Sequence, residues 1–182
     1  MVPALTGPST NIYALKLIDA VATTATYTVK GTFYMQGHYG DYTSGIPGTL
    51  TGLVNGIYKN PSITTVPNNM IFNYVTNGTY TFTTLQPRYL NITPDLAKNV
   101  TVDNADVTFA ESLVLLGGNA VWTDNLIDVN DASAVGTLYG IGTIADNADV
   151  TFDNKVDILD LSLVGANMDK YSADAYKDWD PQ

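Results

Sequence analysis

Residues 26–35, TYTVKGTFYM, place Tyr27, Val29, Gly31, Phe33 and Met35 on one side of an extended chain and Thr26, Thr28, Lys30 and Thr32 on the other. Alternation with a period of two suits a strand with one buried and one wet face, and a helix cannot use it. The texture continues in residues 70–85, MIFNYVTNGTYTFTTL, which read as two strands joined at Asn77-Gly78, a pair suited to the positive φ of a hairpin turn. Residues 91–109 add β-branched side chains around a Pro94-Asp95 turn, and the Gly- and Pro-rich residues 36–62 read as long loops and short strands. The expected fold is mainly β: an antiparallel β-sandwich over residues 25–118. Residues 1–24 read as an arm with one strand, in which Tyr13, Leu15 and Leu17 share a face. That arm is either a frayed end or a strand donated to a neighbouring subunit.

Composition narrows the chemistry. The chain of 182 residues is long enough to bury a real core. With no cysteine, disulfides and thiolate chemistry are excluded, and a lone histidine, His38, leaves little for acid–base catalysis. His38 and nearby Asp41 lie in a loop without a Ser or Cys nucleophile motif, phosphate-binding glycine loops are absent, and no enzyme is expected. No apolar run is long enough to span a membrane. The N-terminus lacks the basic start and apolar middle of a signal peptide, so Met1 is read as placed ahead of a mature N-terminus. Three glycosylation triplets begin at Asn77, Asn91 and Asn99 and favour an extracellular location weakly.

Charge is unevenly spread. Residues 102–182 hold 15 of the 18 acids and 3 of the 8 bases, a net of −12, and residues 1–101 carry a net of +2. Nucleic acid is an unsuitable partner for such a chain. All but one of those 15 acids are Asp, and short Asp side chains suit oxygen cages built in loops.

Such a cage is written into residues 149–160. With Asp149 at position 1 of a twelve-residue calcium loop, Thr151 falls at 3, Asp153 at 5, Asn154 at the turn position 6, the Lys155 carbonyl at 7, Asp157 at 9 and Asp160 at 12. Asn tolerates the positive φ that position 6 requires. The apolar spacing after Asp160 predicts a short helix that presents Asp160 from its first turn. Upstream, NLIDVNDASAVG (125–136) matches NKVDILDLSLVG (154–165) at a spacing of 29. In that copy Asp124, the Leu126 carbonyl, Asp128 and Asp131 fall at positions 5, 7, 9 and 12, but Ala120 and Trp122 at 1 and 3 offer no side-chain oxygen. The copy reads as one residue short, to be completed by Asn119, water or another chain. Oxygen ligands without His or Cys select Ca2+ over zinc or copper. Helix caps and turns are the competing role for any single Asp among them. A second echo, DNADVTF at 103–109 and 146–152, reads as a repeated strand-and-turn phrase.

The tandem Asn-x-x-Asp-x-x-Asp-x-Ser-x-Val-Gly segments resemble a dockerin, a pair of calcium loops each leading into a helix, and assign residues 119–182 to a dockerin-like segment with an acidic, aromatic tail. The β region ahead of it resembles prealbumin-like and jelly-roll modules. From VPALTGPSTNIYALKLIDAVATTATYTVKG to DAYKDWDPQ, the whole chain is similar to the cannula proteins of hyperthermophilic Pyrodictium archaea. That resemblance implies a secreted structural subunit, with itself as partner, that polymerises with calcium into hollow extracellular tubules. The charge asymmetry agrees with head-to-tail contacts, which form filaments or tubes when they do not close. The other reading is a calcium-dependent dockerin-like module, or a carbohydrate-binding module using Trp122 and Trp179, that docks to a separate partner.

Overall fold

The computed structural model describes residues 24–38, 48–52, 58–59, 62–63 and 69–182. The candidate donor strand and residues 1–23 of the arm lie outside the described residues, as does Asp41. Among the described residues no helix is long and apolar enough to cross a membrane.

Strands β1 (Thr26–Met35), β4 (Ser62–Ile63), β5 (Asn69–Thr76), β9 (Val107–Thr108) and β10 (Leu113–Leu115) form one sheet. Strands β2 (Gly48–Gly52), β3 (Tyr58–Lys59), β6 (Gly78–Thr84) and β8 (Lys98–Val102) form the other, in the order β3-β2-β6-β8. The alternation read from β1 is the one observed: Val29, Gly31, Phe33 and Met35 are buried, and Lys30, Thr32 and Tyr34 face out. Pairing is antiparallel except where β9 and β10 lie parallel to β1. Phe72 of β5 meets Phe82 of β6 edge-on at 6.4 Å, and Phe82 meets Phe109 at 5.3 Å, so aromatic rings fill the space between the sheets. Each ring of this size contributes about 1.5–3 kcal/mol by leaving water.

Asn77-Gly78 is not a hairpin turn. β5 pairs with β1 and β4, β6 pairs with β2 and β8, and the one residue between them, Asn77, carries the chain from one sheet to the other. Both strands must turn an apolar face inward, and a corner satisfies this where a hairpin would keep them in one sheet. Reciprocal hydrogen bonds pin the corner: Asn77 Nδ2 donates to Asn104 Oδ1, and Asn104 N donates to Asn77 Oδ1, both at 2.8 Å.

Beyond the sandwich, β7 (Arg88–Tyr89) pairs with β11 (Gly117–Asn119), and β12 (Leu126–Ile127) pairs with β13 (Lys170–Tyr171). Helices α1 (Val129–Leu138), α2 (Ile158–Ala166) and α3 (Ser172–Ala175) follow the two acidic segments and β13. β11 runs so close to α2 that a Cβ on Gly118 would sit 3.1 Å from Val164 Cα, and its φ of +114° also demands glycine. Residues 119–182 share one continuous core with the sandwich. Trp179 is buried 5.5 Å from Phe82 and 5.9 Å from Phe109, and the Tyr176 hydroxyl donates to the Leu90 carbonyl at 2.8 Å. Trp179 is thus a core residue and no part of a carbohydrate platform, whereas Trp122 is 37% exposed.

Candidate cation-binding loops

In residues 149–160 the apolar side chains of Val150 and Val156 are buried, and they root the loop in the core. This leaves Asp149 and Asp160 fully buried as well, with Thr151 nearly so. Asp149 accepts from the amides of Asp153 (3.2 Å) and Asn154 (3.0 Å). Its Oδ1 lies 3.4 Å from the Thr151 hydroxyl, which donates at 3.0 Å to Asp160 Oδ1. Asp160 also accepts from the Thr151 amide (3.0 Å) and, through Oδ2, from Asp157 N (2.8 Å). Asn154 takes the expected left-handed turn at φ +70°. Asp157 caps α2 by accepting from Leu159 N, and with Asp160 it forms a reciprocal capping box. Asp153 accepts from Lys155 N at 3.0 Å, and Lys155 lies on the exposed arc of the loop.

Three of the expected ligand side chains, Asp149, Thr151 and Asp160, are therefore brought together. Asp153 and Asp157, like Asp149 and Asp160, accept from nearby backbone amides. Among the described residues, no group of three or more Asp, Glu, His or Cys side chains is gathered as a metal cluster. Burial is the main cause that raises the Asp149 pKa, opposed by the Asn154 amide and reinforced by the Asp160 charge. Two buried carboxylates bridged by a hydroxyl, with oxygen donors only, fit a hard cation such as Ca2+.

Sequence reasoning missed what holds the loop to the sandwich. Arg88 donates from Nη1 to the Asp149 carbonyl (2.9 Å) and from Nη2 to the Ile144 carbonyl (2.6 Å). Its guanidinium lies 4.1 Å from the centre of the Phe152 ring, a cation–π contact. Phe152 stacks with His38 at 4.7 Å and with Tyr89 at 6.0 Å, so His38 is a half-buried packing partner and not a plain surface residue. Phe152 adopts φ +60°, a conformation that strains a bulky side chain. No local signal marks Arg88, because its partners are 56 and 61 residues away.

The upstream copy reproduces the hydrogen-bond frame. Asp131 is fully buried and accepts from Val121 N (2.8 Å) and Asp128 N (2.7 Å), and Asp128 caps α1 with the same reciprocal box. Ser133 and Ser162 donate to the carbonyls four residues back, at 2.7 and 2.6 Å. Asn125 takes the turn at φ +57°. Asp124 accepts from Leu126 N at 3.2 Å. The register differs from the sequence reading. Val121 N takes the place of Thr151 N, so Asn119 and not Ala120 stands where Asp149 stands, and the copy is one residue longer, not shorter. The DNADVTF echo is not a structural repeat: Phe109 sits in the core between the sheets, while Phe152 caps the loop.

Two crystal structures of a type II cohesin–X-dockerin complex from Acetivibrio cellulolyticus, one an N-terminal and one a C-terminal interface mutant, each contain a chain similar to this one. The TM-scores are 0.54 and 0.55 and the identities 15% and 16%, over 81% of this chain and 99% of that chain. At this identity the likeness speaks for the fold, a mainly-β chain built on a sandwich. No protein-family model and no curated protein sequence matches the chain.

Proposed function

We propose that this chain is a secreted, non-enzymatic structural subunit whose partner is a second copy of itself, and that calcium bound in residues 149–160 promotes its assembly into extracellular tubules. The observation that carries the reading is the fully buried Asp149–Thr151–Asp160 cluster, with two carboxylates in mutual repulsion and oxygen donors only. A bound cation would relieve that repulsion and tighten the loop that seats α2 on β11. At 100 times its dissociation constant an ion adds about 2.7 kcal/mol to stability. The uneven charge, −12 over residues 102–182 against +2 over residues 1–101, favours contact between unlike ends of successive copies once the acids are partly neutralised.

A second reading has one specific support. Ile158 and Leu159 at the start of α2 and Val129 at the start of α1 are 55–67% exposed, an apolar face on paired helices. Its fold resembles that of chains from a cohesin–X-dockerin complex, which agrees with a module that docks to a separate protein. Size-exclusion chromatography and electron microscopy of the pure chain, before and after millimolar calcium, separate the two. Tubes or large oligomers that EDTA dissolves support self-assembly. A chain that binds calcium and stays monomeric supports docking to another protein, and a chain that takes up no calcium sinks both.

A further inference from the structure

The two loops share one frame, yet the residue at the head of the frame differs in charge. Asn119, fully buried at the end of β11, takes the place of Asp149. In one orientation its side-chain nitrogen donates to the Tyr89 carbonyl at 3.4 Å; turned over, the orientation its surroundings favour, it donates to two carbonyls, Val121 at 3.2 Å and Leu126 at 3.3 Å. The Leu126 carbonyl is the oxygen expected at position 7 of a calcium loop. We propose that the Asn119 amide group occupies the centre of the upstream loop in place of a cation, so that residues 119–131 form a metal-independent clip and the calcium response belongs to residues 149–160 alone.

The donor set argues for this. A nitrogen at that point makes two hydrogen bonds, whereas an oxygen there would face two acceptors. Asp131, Asp128 and Asp124 accept from backbone amides just as Asp160, Asp157 and Asp153 do, so the two loops differ at positions 1 and 3 and not in these contacts. Position 3 is held by Val121, which brings no side-chain oxygen. With an amide nitrogen at position 1 and Val121 at position 3, a calcium ion at the centre would lack two of the side-chain oxygens that Asp149 and Thr151 offer downstream. One fully buried carboxylate remains, against two in the downstream loop, and the acids whose charge acts on Asp131 are the exposed Asp124 and the half-buried Asp128.

The proposal rests on the calcium reading of residues 149–160 only for its contrast, and a two-by-two experiment keeps them apart. Asn119→Ala and Asp149→Ala chains are melted in EDTA and in millimolar calcium, and calcium uptake is titrated calorimetrically. Asn119→Ala is expected to lower the melting temperature by the same amount in both buffers and to leave the number of ions bound unchanged. A loss that grows in calcium, or one ion fewer per chain, overturns the clip. Equal losses for Asp149→Ala in both buffers, with unchanged uptake, sink the downstream calcium reading and leave the clip standing. Should Asn119→Ala not fold, the wild-type chain decides. Its Asn119 side-chain NH2 protons should be slow to exchange in EDTA and unmoved by calcium in NMR spectra, and calcium-induced shifts of that group overturn the proposal.

Discussion

Residues 119–131 and 149–160 are two solutions to the same local problem. Each ends in an Asp-capped helix, each turns on an Asn in the left-handed region, and each sends a buried carboxylate back to an amide near the start of the loop. The upstream loop has one residue more and no strained residue between Val121 and Asn125, whereas the shorter loop forces Phe152 to φ +60°. The upstream loop heads its frame with a neutral amide and the downstream loop with a buried charge. One inserted residue and one Asp-to-Asn difference thus separate a frame with one fully buried carboxylate from a frame with two.

Removing the two head residues should break that contrast most visibly. Asp149→Ala strips the acceptor from the part-buried Asp153 and Asn154 amides, a loss of about 1–2 kcal/mol. On the proposed calcium reading, losing an ion held at 100 times its dissociation constant adds about 2.7 kcal/mol, so denaturant titrations in the two buffers should differ by that amount. The pH dependence carries the same signature. Burial raises both Asp149 and Asp131 above the ordinary value of 3.8, so between that value and the raised one the folded chain holds protons that the unfolded chain has released. Stability in EDTA therefore falls as pH rises through that window. If residues 149–160 bind calcium as proposed, the ion takes the ionised form, and its stabilising increment should grow with pH across the same window. Asp149→Asn should abolish that growth and Asp131→Asn should not, as melting curves at stepped pH would reveal.

Strain offers a smaller test. Phe152→Ala loses the contacts with Arg88, His38 and Tyr89 but keeps a left-handed non-glycine residue, and about 3 kcal/mol is expected for a ring of this kind. Phe152→Gly loses the same contacts and should be the more stable of the two by about 1 kcal/mol, since glycine tolerates that backbone. At Trp122, where φ is not positive, the order should reverse, with glycine worse than alanine by about 0.5–1 kcal/mol. The same order at both positions in thermal melts would remove strain as a difference between the loops.

What was legible in the sequence was what local pattern determines. The alternation in β1, the Asn turn at 154, the helix after Asp160 and the repeat at 125 and 154 all follow from residues close in the chain. Pairing between distant strands does not, and so Asn77-Gly78, whose local chemistry suits a hairpin, forms a corner between sheets instead. Arg88 carried no signal because both its acceptors are presented by a loop more than fifty residues on. Trp179, named with Trp122 for the alternative carbohydrate-binding module, packs instead on Phe82 and Phe109, a contact made only by the return of the tail to the sandwich. The upstream register was misread because a spacing of 29 aligns the helices faithfully and hides an insertion that falls before Asn125.

The turn asparagines stand where a calcium loop usually has glycine, and one of them, Asn154, should give the smallest effect. Backbone conformation alone would favour glycine at both, so the side chains must compensate. Asn125 does so twice, accepting from Asn91 N at 2.7 Å and donating to the Asn91 carbonyl at 3.0 Å, which ties the upstream loop to the sandwich. Asn154 does so once, accepting from Ile144 N at 3.1 Å at an exposed site. Asn125→Gly should therefore cost about 1–2 kcal/mol, from two part-buried hydrogen bonds less the relief of φ. For Asn154→Gly one exposed bond is set against the same relief, and the net should be about 0–0.5 kcal/mol. Equal losses in chemical denaturation would mean that the loops are anchored alike. A larger loss at 154 would move the tighter anchor to the downstream loop, where Arg88 and Phe152 already hold it.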